Sequence, residues 1–301
     1  MNGCICVDSG ELGVALSGGG ARALAQVGVL KVLEREKIPV SHVAGTSAGA
    51  VIGAVFATSE SAMEAEARVL AHLKTTGVGF NAETFATLSS ERPRSYTRLW
   101  DLARRIWRMR RAGGALIGGE EMRNSLRVLL RGVSFEATRL PFATTALDPG
   151  TGRRMIFAAG SLVDGVYASS AIPGLVEPLA LGEYLLVDGG WAEPVPVNTC
   201  RHLGAIHILA VDVGTPPPHE REASGVATAI RADALARDLL EQAQLREADF
   251  VLRAHVELRD FADFSAPQRA MAAGERAAEE ALPEIAAVLE RHRSLFVRTV
   301  N

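Results

Sequence analysis

Gly45-Thr46-Ser47-Ala48-Gly49 sets a serine among small residues where an apolar stretch gives way to one rich in Ala, Val and Ile. A hydroxyl nucleophile needs such a setting, because small neighbours let the chain turn sharply from strand to helix and leave the side chain exposed. Unpaired backbone N–H groups at the helix N-terminus then favour developing negative charge. The same five residues also read as a small-residue helix start with Ser47 as an ordinary cap.

Upstream, Ser17-Gly18-Gly19-Gly20-Ala21-Arg22 forms a second strand-to-helix turn. Three consecutive glycines bare their N–H groups, which suits a phosphate or an oxyanion. Gly18-x-Gly20-x-x-Ala23 fits a dinucleotide fingerprint, but that motif requires a carboxylate at the end of the second strand. Ala44-Gly45-Thr46-Ser47 occupies that place. No Gly-Lys-Ser/Thr follows the glycines, so a Walker phosphate loop is excluded.

A serine nucleophile needs a base. The chain has 7 histidines, none in a motif that marks a catalytic loop. A Ser–Asp–His triad with a late histidine remains an alternative. The stronger candidate is Asp188 in Tyr184-Leu-Leu-Val-Asp188-Gly189-Gly190, a carboxylate at the carboxyl end of an apolar strand, where ligands and catalytic groups collect in open α/β sheets. Asp148 and Asp212 stand in similar settings and read as turn caps.

The elements that position these groups alternate. Apolar runs predict strands over 13–16, 42–44, 142–147, 155–158, 184–187, 206–211 and 250–256. Longer periodic segments predict helices over 21–36, 48–59, 120–131, 223–245 and 270–291. The expected fold is a three-layer α/β/α domain with a largely parallel central sheet. Residues 60–130 carry no clear strand and read as a helical cap or insertion, within a single domain over 1–301. The composition, 48% hydrophobic and 22% charged with net charge −3, excludes disorder and a globally basic nucleic-acid binder. Three cysteines, Cys4, Cys6 and Cys200, make neither a disulfide scaffold nor a zinc set, which fits a reduced, cytoplasmic compartment. The longest small or apolar run, 48–57, is far short of the roughly 20 residues that span a bilayer.

Taken in order, Gly18-Gly19-Gly20-Ala21-Arg22, Gly45-Thr46-Ser47-Ala48-Gly49 and Asp188-Gly189-Gly190 resemble the patatin-like phospholipase family, in its bacterial branch, similar to the catalytic domain of neuropathy target esterase. Ala168-Ser-Ser-Ala-Ile-Pro173-Gly174 and the stretch after Gly190 look like further family segments. Ala23 stands where the family commonly has glycine, and Ser17 where it has Gly or Asp. The resemblance implies a Ser47/Asp188 dyad without histidine and an oxyanion hole from the amides of Gly18, Gly19 and Gly20. Arg22 would hold that loop or bind a phosphate. It further implies fatty-acyl ester hydrolysis in a phospholipid or lysophospholipid, with no metal or organic cofactor. The apolar loop 171–175 is expected to line the acyl pocket. The competing class is a non-catalytic anion- or lipid-binding regulatory module on the same fold.

Between Arg92 and Arg111, eight arginines face Asp101 alone. At 100° per residue, Leu99, Trp100, Ile106 and Trp107 fall on one half of a helix and Arg98, Arg104, Arg105 and Arg108 on the other. Such a helix suits peripheral contact with an anionic membrane, and equally a cap packed on the sheet with solvated arginines. Nucleic acid is not expected as a partner.

Overall fold

The computed structural model describes residues 12–59, 61–75, 115, 117–215, 225–258 and 262–297. The arginine-rich segment 92–111, Cys4, Cys6 and most of the cap 60–130 lie outside the described residues.

Eight strands build one sheet: β1 (Leu12–Leu16), β2 (Val40–Gly45), β3 (Phe142–Asp148), β4 (Arg153–Phe157), β5 (Leu179–Leu181), β6 (Tyr184–Asp188), β7 (His207–Asp212) and β8 (Phe250–Arg253). The order is β5-β6-β3-β2-β1-β7-β8, and β4 also pairs with β3. From β3 to β8 every neighbour is parallel. The β3–β4, β3–β6 and β5–β6 pairs are antiparallel, so a parallel block carries an antiparallel flank.

The two-residue period of a strand sorts side chains between faces. In β1, Leu12, Val14 and Leu16 enter the larger core and Ala15 the smaller; in β7, Leu209 and Val211 enter the larger, Ile208 and Ala210 the smaller. Burial on both faces is why these strands are apolar throughout. The larger core is built with α1 (Leu24–Arg35), α2 (Ala48–Ser59), α3 (Ala62–Thr75), α4 (Gly119–Leu130) and α5 (Leu162–Ser169). The smaller takes α6 (Val197–His202) and the end of α7 (Gly225–Leu245), while α8 (Pro267–Val297) returns to α1 on the larger side. Helix α2 is buried at every position from Ala48 to Ala57, which its all-apolar composition requires.

Three elements are absent from the sequence expectation: β5, α5 and α6. The first spans three residues and the last six, too few for a periodic signal. Helix α5 did carry a mark, because Ser161 caps it by accepting the Asp164 N–H at 3.2 Å. Within 60–130, the described portions form α3 and α4.

Candidate active site

Ser47 lies two residues past the end of β2 and immediately before α2, with φ 55°, a left-handed conformation rare outside glycine. Such a backbone costs on the order of 1–3 kcal/mol and persists only where its surroundings hold it. The flanking glycines are there for contact. A Cβ on Gly45 would lie 2.5 Å from Gly49 O and from Ala50 Cα, and one on Gly49 would lie 2.4 Å from Leu16 O. The elbow closes against β1 only without those side chains.

Sheet register brings Asp188 to this turn. Strand β3 pairs Thr144 with Gly45 and Ala146 with Asp188, so Asp188 sits two residues beyond the end of β2, level with Ser47. Gly189 must lack a side chain because a Cβ there would lie 2.4 Å from both Thr145 O and Thr145 Oγ1. The Gly190 N–H donates to Asp188 Oδ1 at 2.7 Å. Asp188 is 2% exposed, and its Oδ2 has no hydrogen bond of ordinary geometry among the described residues. Burial pushes its carboxyl from the usual 3.8 up to about 6, opposed by the approach of the Ser47 hydroxyl, the Gly190 amide and the charge of Arg237. Ser47 thus acts on this carboxyl without closing a full hydrogen bond, an arrangement common in unliganded sites.

The glycine loop adjoins Ser47: a Cβ on Gly18 would lie 3.3 Å from Ser47 Cβ. The loop does not offer three donors, however. Gly18 N–H is committed to Pro194 O at 3.0 Å, which leaves Gly19 and Gly20 with N–H groups unbonded among the described residues. Gly20 has φ 59°, which turns the chain into α1. The Ala48 N–H, next to Ser47 at the start of α2, is also unbonded among the described residues, and motif reading had not singled it out. Arg22 lies near Glu241, where its charge opposes the effect of burial and Asp212 in raising the Glu241 carboxyl to about 8. That environment is acidic, and it places Arg22 beside the end of β7.

From Gly20 and Ala48 a small, half-open apolar pocket runs between α2, α3 and α4, lined by Val51, Ile52, Val69, Leu73, Leu129 and Phe264, with His72 as its polar member. In the loop 171–175, expected to line the acyl pocket, Ile172 is half-buried and Pro173 and Gly174 are exposed. Ala171 and Leu175 are buried in the core, and no residue of that loop borders this pocket.

No histidine among the described residues contributes to the Asp188 environment, and His72 bonds Ser125 Oγ at 3.0 Å. Asp148 accepts from Gly150 N, Thr151 N and Thr151 Oγ1, and Asp212 from Gly214 N at 2.7 Å, so both rivals cap turns. Among the described residues no group of three or more His, Cys, Asp or Glu side chains could hold a metal. No described helix is long and apolar enough to cross a membrane.

Residues 193–194 tie the loops together, a role no motif announced. Glu193 O accepts Thr46 Oγ1 at 2.7 Å, and Pro194 O accepts Gly18 N–H. The Glu193 carboxylate is fully buried, pairs with Arg154 at 2.9 Å and caps α6 through Asn198 N and Thr199 N. Its charge is therefore compensated, as a buried carboxylate requires.

Residues 14–201 match the model of the patatin-like phospholipase family. The chain is 31% identical over 206 residues to Patatin-like phospholipase domain-containing protein ZK370.4 of Caenorhabditis elegans, covering 68% of this chain and 14% of that protein. It is 30% identical over 207 residues to Neuropathy target esterase sws of Drosophila melanogaster, covering 68% of this chain and 13% of that protein. To Lysophospholipase NTE1 of Candida albicans it is 25% identical over 204 residues, covering 68% of this chain and 13% of that one. The chain thus spans 13–14% of the length of these relatives. With its glycine loop, serine elbow and Asp-Gly-Gly turn, which follow the interior strands β1, β2 and β6, all inside the matched region, this chain belongs to the patatin-like phospholipase family.

Proposed function

We propose that this hydrolase cleaves fatty-acyl esters of phospholipids or lysophospholipids with Ser47 as nucleophile and Asp188 as its only proton acceptor. The observation that carries the reading is the buried Asp188 carboxyl, made more basic by its surroundings and approached by the Ser47 hydroxyl where an apolar pocket begins. The lipid substrate rests on the apolar lining of that pocket and on the names of the relatives.

In the first step Ser47 Oγ bonds to the ester carbonyl carbon while its proton passes to Asp188. Negative charge collects on the carbonyl oxygen, and in this reading the unbonded N–H groups of Gly19, Gly20 and Ala48 are its donors. Each well-placed donor is worth roughly 2.7–4 kcal/mol in such sites. Collapse expels the alcohol, which takes the proton from Asp188, and the acyl group stays on Ser47. Water then gives a proton to Asp188 and attacks the acyl carbon, releasing the fatty acid and restoring the hydroxyl. A carboxylate titrating near 6 is better matched to this shuttle than one near 3.8.

A serine-directed fluorophosphonate and a screen of phospholipid and lysophospholipid micelles test the reading. The expected result is stoichiometric labelling at Ser47 with fatty-acid release from at least one lipid class. Folded protein that neither labels nor releases fatty acid would instead support the binding-module reading.

The pH profile follows from the same carboxyl. Asp188 must be ionised to accept the proton, so kcat/KM should rise tenfold per pH unit below about 6 and level off above it. A limb near 4 would contradict the burial argument.

A further inference from the structure

Residues 169–171, at the end of α5, touch both candidate groups through the backbone. Ser169 Oγ accepts the Ser47 N–H at 3.0 Å, and the Ser170 hydroxyl donates to Ser47 O at 3.2 Å. The next residue, Ala171, accepts the Asp188 N–H through its carbonyl at 2.9 Å. Three consecutive residues therefore hold the peptide groups on both sides of the strained serine and the amide of the aspartate. Ser169 and Ser170 are 0% and 4% exposed, so water does not substitute for these hydroxyls. Their own footing is firm: Thr144 Oγ1 of β3 donates to Gly165 O within α5 at 3.0 Å.

We infer that Ser169 and Ser170 are positioning residues that set the separation of Ser47 and Asp188, a role that rests on the dyad reading above. At the left-handed turn the preceding Thr46 N–H still reaches Leu16 O on β1, whereas the Ser47 N–H finds its acceptor in the Ser169 hydroxyl. Ser47 O also accepts from Ala50 N and Val51 N, so the Ser170 bond adds direction to a carbonyl already satisfied. Loss of Ser169 should consequently cost more than loss of Ser170.

The test is Ser169→Ala and Ser170→Ala assayed beside wild type and Ser47→Ala on a short p-nitrophenyl ester, with active sites counted by fluorophosphonate labelling. Misplacing a reacting group by about 1 Å can cost on the order of 10²-fold in rate. The expected result is a fall in kcat per labelled site of that order for Ser169→Ala and about tenfold for Ser170→Ala, with KM within twofold of wild type. A merely structural role would reduce the number of labelled sites and leave kcat per site unchanged, and that outcome overturns the inference. If Ser169→Ala lacks a cooperative unfolding transition, Ser170→Ala decides: kcat per site within twofold of wild type refutes the role. Unimpaired turnover in Ser47→Ala defeats the dyad reading itself, whereas an inactive Ser47→Ala beside fully active Ser169→Ala and Ser170→Ala defeats this inference alone.

Discussion

Asp188→Asn is expected to lower kcat by on the order of 10⁴-fold while making the folded protein more stable above pH 6. The amide fills the same space and can still accept the Gly190 N–H, so the geometry of the turn survives. What it loses is the ability to take a proton from Ser47. The stability gain follows from linkage. The folded carboxyl titrates near 6 and an exposed one near 3.8, so its contribution is fully present below 3.8 and is lost as pH rises through 6. The difference amounts to roughly 3 kcal/mol at neutral pH, which the neutral amide does not forfeit. Thermal unfolding at pH 8 and pH 4.5, with esterase assays on the same preparations, checks both halves. Loss of activity accompanied by a lower melting temperature at pH 8 would mean that Asp188 holds the turn together and that its charge is stabilised there. Ser47→Ala should be equally inactive, with only the residual rate that oxyanion donors and binding supply without a nucleophile.

Gly49→Ala should lower both stability and turnover while leaving every candidate chemical group in place. Its Cβ would sit 2.4 Å from Leu16 O and 2.5 Å from Ser17 O, both backbone atoms. Leu16 O accepts Thr46 N–H and Ser17 O accepts Gln26 Nε2, so pushing them away loosens the elbow and the glycine loop together. Overpacking of this kind costs about 1–3 kcal/mol. The accompanying displacement of Gly19 and Gly20 from Ser47 should lower kcat by on the order of 10²-fold. Gly53→Ala is the informative comparison, because the nearest atom to its Cβ, at 2.8 Å, belongs to the Phe142 ring. A ring can shift, so urea unfolding should show a milder loss and kcat should stay within a few-fold of wild type. Equal losses of kcat in the two variants would show that contact with the glycine loop is not what makes Gly49 necessary.

The two glycine motifs illustrate what could be read early. Gly45 and Gly49 were legible as elbow residues because a strand-to-helix turn of that tightness excludes side chains wherever it occurs. Asp188 was legible as a strand-end carboxylate, and Asp148 and Asp212 as turn caps, because an aspartate two residues before an unpaired amide behaves locally. Gly18 was misjudged as a free donor for the opposite reason: its partner, Pro194 O, arrives from far along the chain. The loop 171–175, read as a pocket wall from its hydrophobicity, does not border the pocket beside Ala48, because hydrophobicity alone does not say which surface a side chain meets.

By itself, the order of residues determined the three turns, the alternation of strands and helices, and the chemical types offered at each strand end, since all of these follow from contacts within a few positions. Only the tertiary structure decided that β3 would carry Asp188 to the level of Ser47, that burial would raise its carboxyl to about 6, and that Ser169, Ser170 and Glu193 would grip the loops. Register, desolvation and hydrogen bonds between remote segments depend on which surfaces meet, and that is fixed by packing of the whole sheet.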